Sequence, residues 1–90
     1  MNLRVFKKDV DYLVEEIISD AVLGLNFAKE SEKEEIIFGV INDAIALRET
    51  LYTKINHYDR ENTRAYFNGV RREFLEVLDN LFERLSETAR

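Results

Sequence analysis

Apolar residues recur every three or four positions along three stretches of the chain, the spacing that gathers them on one side of an α-helix. The first stretch carries Leu3, Phe6, Val10, Leu13, Val14, Ile17, Ile18, Ala21 and Leu25. The second carries Ile36, Ile37, Val40, Ile41, Ala44, Leu47, Leu51 and Ile55. The third carries Phe67, Val70, Phe74, Val77, Leu78, Leu81 and Leu85. Proline is absent, glycine occurs only at 24, 39 and 69, and no long alternating run of β-branched residues interrupts the pattern. Helices are therefore expected over about 3–28, 32–55 and 60–86, and strands are not.

The two breaks have their own chemistry. "SEKE" at 31–34 reads as a capping box, in which the Ser31 hydroxyl accepts from the Glu34 amide and the Glu34 carboxylate reaches back. The connection before it is very short, which forces antiparallel neighbours. At "NHYD", 56–59, Asn56 suits a left-handed helix-ending conformation, and Asp59 suits the cap of the third helix. The first helix starts either after Asn2 or after Asp9, because Lys7 and Lys8 sit poorly in a first turn. The expected fold is all-α, an antiparallel up-down-up three-helix bundle formed by 1–90 as one domain. A helix of 25 residues is about 37 Å long, so such a bundle is thin, and a second copy or another partner is expected to complete it.

One residue breaks the second apolar arc. Arg48 falls among Ile37, Ile41, Leu51, Tyr52 and Ile55, where an unpaired guanidinium would be too costly. Counting levels outward from the short first connection sets it opposite Asp11 and Tyr12, and counting from the second brings Tyr66 and Phe67 to the same height. A buried bidentate Arg48–Asp11 pair is expected, with Tyr12 or Tyr66 donating or stacking. A stem that snorkels out of the bundle to water is the other structural reading, and the functional alternative is that Arg48 anchors an anionic ligand or a carboxylate from another chain.

Other apolar residues lie off the three stripes. Tyr12, Leu23 and Phe27 project from the first helix, with Glu16 and Asp20 between them, and Leu75 and Phe82 flank the third stripe on the strip that Arg64 and Arg71 continue. Isolated exposed apolar residues are ordinary. Grouped and rimmed by charge, these five are interface candidates, with homodimerisation the simplest case.

Composition narrows the remaining classes. The chain is 46% hydrophobic and 34% charged, which argues against disorder. No apolar run approaches the roughly 18 residues of a membrane span, and the start "MNLRVFKKDVDYL" lacks signal-peptide form. Without cysteine there is no disulfide framework or thiolate metal site, and a cytoplasmic setting is expected. The net charge of −5 disfavours general nucleic-acid binding. Arg60, Arg64 and Arg71 nevertheless share one side of the third helix, with Arg72 next in sequence and Arg4, Lys7 and Lys8 near the amino end. An accessory nucleic-acid binder is the alternative reading, although level counting also sets Arg64 and Arg71 beside Asp9, Asp11, Glu15 and Glu16.

Catalytic chemistry is sparse. His57 is the one histidine and lies in a turn, the residue three before it is Lys54 rather than a di-iron glutamate, and Glu15–Glu16 and Glu34–Glu35 point to different helix faces. No catalytic residue, metal site or cofactor site is expected. Gly24 has room for a close neighbour, whereas Gly39 and Gly69 read as outward-facing. The sequence thus points to a non-enzymatic helical module for protein–protein interaction, self-associating or docking on a helical partner.

Overall fold

A computed structural model describes residues 3–57 and 61–89. The expected caps at Asn2 and Asp59 and the expected contact at Arg60 lie outside the described residues, as does the side chain of Leu3. Three helices follow in order: α1 (Leu3–Phe27), α2 (Ser31–Asn56) and α3 (Thr63–Glu87). The up-down-up bundle is the observed architecture. α2 packs against both α1 and α3, while α1 and α3 meet each other only sparsely.

The ends differ in detail from their sequence signals. Ser31 is already the first helical residue of α2, so the capping box does not form. Glu30 occupies the cap position in an extended conformation (φ −105°, ψ 136°) with no side-chain cap bond. Its carbonyl accepts from the amides of Lys33 and Glu34 at 3.1 and 3.2 Å, and Glu32 and Glu34 supply the negative charge that a helix start favours. Asn56 stays helical rather than turning left-handed, and no described non-glycine residue has a positive φ. The helix ends instead at His57 (φ −118°, ψ 42°), whose amide reaches the Thr53 carbonyl at 3.1 Å. α3 starts at Thr63, after Asn62 at its cap position, rather than at 60. α1 starts at Leu3, so Asp9 is an interior helical residue and not a cap.

Burial follows the 3.6-residue period. Phe6, Val10, Val14 and Ile17 from α1 pack with Val40, Ala44, Leu51 and Ile55 from α2 and Phe67, Val70, Phe74, Leu78 and Leu81 from α3, and Ala21 and Ile37 are buried as well. Phe67 anchors the lower end, with Phe6 and Tyr66 ring centroids 6.3 and 5.5 Å away. Ile36 and Val77, expected on the stripes from their spacing, are exposed. Each precedes a core position, Ile37 or Leu78, by one residue, a 100° step that carries it out of the sector between the helices.

The result is a rod of 51 × 18 × 17 Å. Its radius of gyration is 14.8 Å, against about 12 Å for a compact domain of this length. Its accessible surface is 6505 Å², whereas a folded monomer of its mass exposes about 5,500 Å². The excess comes from the slender shape and from the loose meeting of α1 and α3.

Candidate functional site

Two polar seams fasten the outer helices to α2. Along the α1–α2 seam, Arg48 Nε lies 3.1 Å from Asp11 Oδ1, and the Tyr52 hydroxyl donates to the same oxygen. One turn further, Lys7 Nζ donates to Asn56 Oδ1 at 3.5 Å. The Tyr52 ring lies between two cations, with Arg48 Cζ 5.4 Å and Lys7 Nζ 5.9 Å from its centroid. The ladder follows from spacing: 48, 52 and 56 recur every four residues on α2, and 7 and 11 do so on α1. The hydrogen bond to Tyr52, with the charge of Asp11, raises the Arg48 guanidinium above its ordinary value. The bond to Asp11, with burial second, raises the Tyr52 phenol.

The expected Arg48–Asp11 pair is thus present, but it is not buried: the two side chains are 46% and 35% exposed. Arg48 lies at the edge of the arc, where it runs along the seam with its head in water. The bond uses Nε rather than a bidentate fork, and the aromatic partner is Tyr52 of the same helix. Tyr12 is exposed elsewhere, and the Tyr66 hydroxyl donates to the Lys54 carbonyl at 2.8 Å. Arg48 lines none of three surface grooves between the helices, and its pairing with Asp11 counts against an anionic ligand there.

The α2–α3 seam carries Lys54–Glu73 and Asp43–Arg84, each at 2.7 Å. The two pairs are eleven residues apart on both helices, three turns, which is the register of an antiparallel pair. Hydrogen bonding from Lys54 lowers the Glu73 carboxyl. A groove of about 380 Å³ runs between these bridges, past Leu47, Leu51, Val70 and Val77. Gly39 does not face open water here: a Cβ added there would lie 3.2 Å from an Arg84 guanidinium nitrogen. Gly24 leaves an ordinary 3.5 Å contact to Ile37, and Gly69 has nothing within 4 Å.

Among the described residues, no comparable seam closes the third side. Two grooves open between α1 and α3. The lower, about 390 Å³, is lined by Val5, Asp9, Tyr12, Leu13, Arg71 and Leu75 among others. The upper, about 720 Å³, is lined by Leu23, Phe27, Phe82 and Leu85, with Asp20, Lys29 and Lys33 at its edge. All five interface candidates from the sequence therefore fall on one face. Tyr12, Leu23 and Phe27 are 66%, 57% and 76% exposed, and Leu75 is also exposed. Phe82, which flanks the third stripe, is partly buried: it packs against the core and lines the upper groove between α1 and α3.

The charged candidates divide along this face. Arg71 shares the lower groove with Asp9, yet the ion pairs between described residues are Arg48–Asp11, Lys54–Glu73 and Arg84–Asp43, and neither Arg64 nor Arg71 enters them. Asp11, expected near Arg64 and Arg71, faces α2 instead. Sequence reading also missed a smaller exposed apolar set, Val22 on α1 with Phe38 and Ile45 on α2. The seven-residue spacing of Phe38 and Ile45, which puts both on one side of α2, was the available signal.

His57 is exposed, with its Nδ1 2.9 Å from the Thr53 carbonyl. Among the described residues, no cluster of three or more His, Asp or Glu is arranged to hold a metal ion, and no helix is long and apolar enough to cross a membrane. Fold and seams define the chain as an all-α three-helix bundle with one open side. No family model matches it, and neither the curated proteins nor the solved structures searched contain a match.

Proposed function

We propose that this chain is a non-enzymatic helical interaction module that docks through the open face between α1 and α3. The observation that carries the reading is the convergence of Tyr12, Leu23, Phe27, Leu75 and Phe82 on two grooves of that one face. The polar rim supplied by Asp9, Asp20, Arg71 and Lys33 resembles the edge of a protein interface around its apolar centre. The docking partner is proposed to be helical, because a long groove between parallel helices accepts a ridge of side chains at matching pitch. A cysteine-free chain suits a reducing compartment, and the cytoplasm is the proposed setting.

The nucleic-acid alternative draws less support. Arg64 and Arg71 are exposed, but a phosphate backbone approaching Arg71 would meet Asp9 on the opposite wall of the same groove.

The test is site-specific photocrosslinking in the native host. A photoreactive residue at Tyr12 or Phe27 should give a discrete crosslinked species, and one at the exposed Glu49 of α2 should not. Equal labelling from all three positions, or none from the face, overturns the proposal.

A further inference from the structure

Resting on that reading, we infer that the occupant of the α1/α3 face is a second copy of this chain, related by a two-fold axis parallel to the helices, so that α1 of each copy packs on α3 of the other.

Charge selects this arrangement. The flank of α1 that borders the face carries Asp9, Glu16 and Asp20 and no base, whereas the matching flank of α3 carries Arg64 and Arg71, with Asp79 further round between Leu75 and Phe82. A two-fold axis along the bundle lays the acidic flank of each copy against the basic flank of the other. An axis across the helices would instead lay α1 antiparallel on α1, acidic flank on acidic flank, which is costly. Asp9 and Arg71 face one groove within the chain without forming an ion pair, so both remain available to a second copy.

Height selects it too. The axis preserves level along the rod. Tyr12 and Leu75 line the lower groove together, and Leu23, Phe27 and Phe82 line the upper one together. Across the interface Tyr12 therefore meets Leu75 of the second copy, and Leu23 and Phe27 meet Phe82 of the second copy. Apolar residues face apolar residues at both ends, and Asp9 faces Arg71 of the second copy between Val5 and Tyr12.

Area is compatible with this. A face as long as its 25-residue helices, about 37 Å, and 18 Å wide has a footprint of roughly 670 Å², inside the roughly 600–1,000 Å² per partner of stable interfaces. The surface excess of this chain over a compact monomer, about 1,000 Å², is of the same size. The resulting assembly has six helices around two joined cores.

The test uses purified full chain. Light scattering should show a dimer. Asp9→Arg and Arg71→Asp alter exposed residues outside the core, and circular dichroism should show both variants helical. Each alone faces like charge with like and should weaken self-association roughly tenfold or more. An equimolar mixture of the two variants should restore the dimer. In the mixed pair the introduced arginine meets the introduced aspartate at one contact, and the native Arg71 meets the native Asp9 at the other. A spin label on Glu87→Cys, unique in a chain without cysteine, should report a separation near the 18 Å width of one bundle. A separation near the roughly 37 Å length of a helix overturns the parallel arrangement. A strict monomer, or a dimer indifferent to both charge reversals, overturns the inference. If the purified chain is monomeric while Tyr12 and Phe27 still crosslink to a different protein, the inference falls and the interaction-module reading stands. If the face crosslinks to nothing, both fall.

Discussion

The Tyr52 hydroxyl of α2 and the Arg48 guanidinium one turn before it converge on a single carboxylate oxygen of Asp11 on α1. Two donors of one helix thereby fix the height at which the other packs. Tyr52→Phe removes one donor without changing ring packing. It should lower stability by about 1 kcal/mol, read as a shift of the denaturation midpoint with unchanged slope. Arg48→Ala should cost less, because the guanidinium already lies in water and screening weakens its pair.

The same contact sets an alkaline limit. Tyr52 is raised above its ordinary value by its bond to Asp11. A raised folded-state pKa contributes stability below the unfolded value, about 10 for tyrosine, and that contribution disappears as pH rises through the folded value. Glu73 acts at the other end: lowered by Lys54, it contributes above the usual glutamate value of about 4.3 and loses that contribution as pH falls through its folded value. Stability should therefore be flat near neutrality and decline on both sides. Phenolate absorbance in a pH titration should show Tyr52 ionising late, and Asp11→Asn should shorten that delay.

Phe27 and Phe82 line the same groove yet differ in what holds them. Phe27 is 76% exposed, so Phe27→Lys should change monomer stability by less than about 0.5 kcal/mol in dilute solution. Phe82 packs against the core, and Phe82→Lys should cost about 2 kcal/mol or more. Thermal or chemical denaturation of the two variants side by side checks the difference. Equal costs would show that the groove is closed by Phe27 in the free chain.

Glycine replacement separates two helical sites of the same residue type. Gly69→Ala meets nothing within 4 Å and should stabilise α3 by about 1 kcal/mol. Gly39→Ala places a methyl 3.2 Å from an Arg84 guanidinium nitrogen, which must give way slightly, so its gain should be smaller or absent. Denaturation midpoints of the two variants measure this directly.

Much of this arrangement was legible in the residues. Ile17, Phe74 and Val40 are buried because a 3.6-residue period leaves no other face for them, and counting from a short connection put Arg48 level with Asp11. What failed was anything requiring reach or exact boundaries. A helical wheel gives Arg48 an angle but not the length of its stem, so a buried pair and a stem reaching out to water read alike until the seam was seen. It also directs attention across helices, and so passed over Tyr52, four residues from Arg48 on the same helix. The Ser31–Glu34 box failed by one position, since a capping serine must precede the helix and Ser31 begins it. Phe82 read as flanking the third stripe, which its angle gives, but a wheel drawn for a closed bundle does not include the gap between α1 and α3 that it lines. The two α2–α3 bridges left a trace in their shared eleven-residue separation, visible only once the register is known.

With both outer helices latched to α2 and hardly to each other, the chain has two independent ways to begin folding. Either hairpin can zip from its own short connection, and the remaining helix then docks on a surface already formed. Contacts so local in sequence put such a chain among fast folders, with collapse in microseconds to milliseconds. Lesions in α1 or α3 leave one of these routes intact, while a lesion in the middle of α2 slows both.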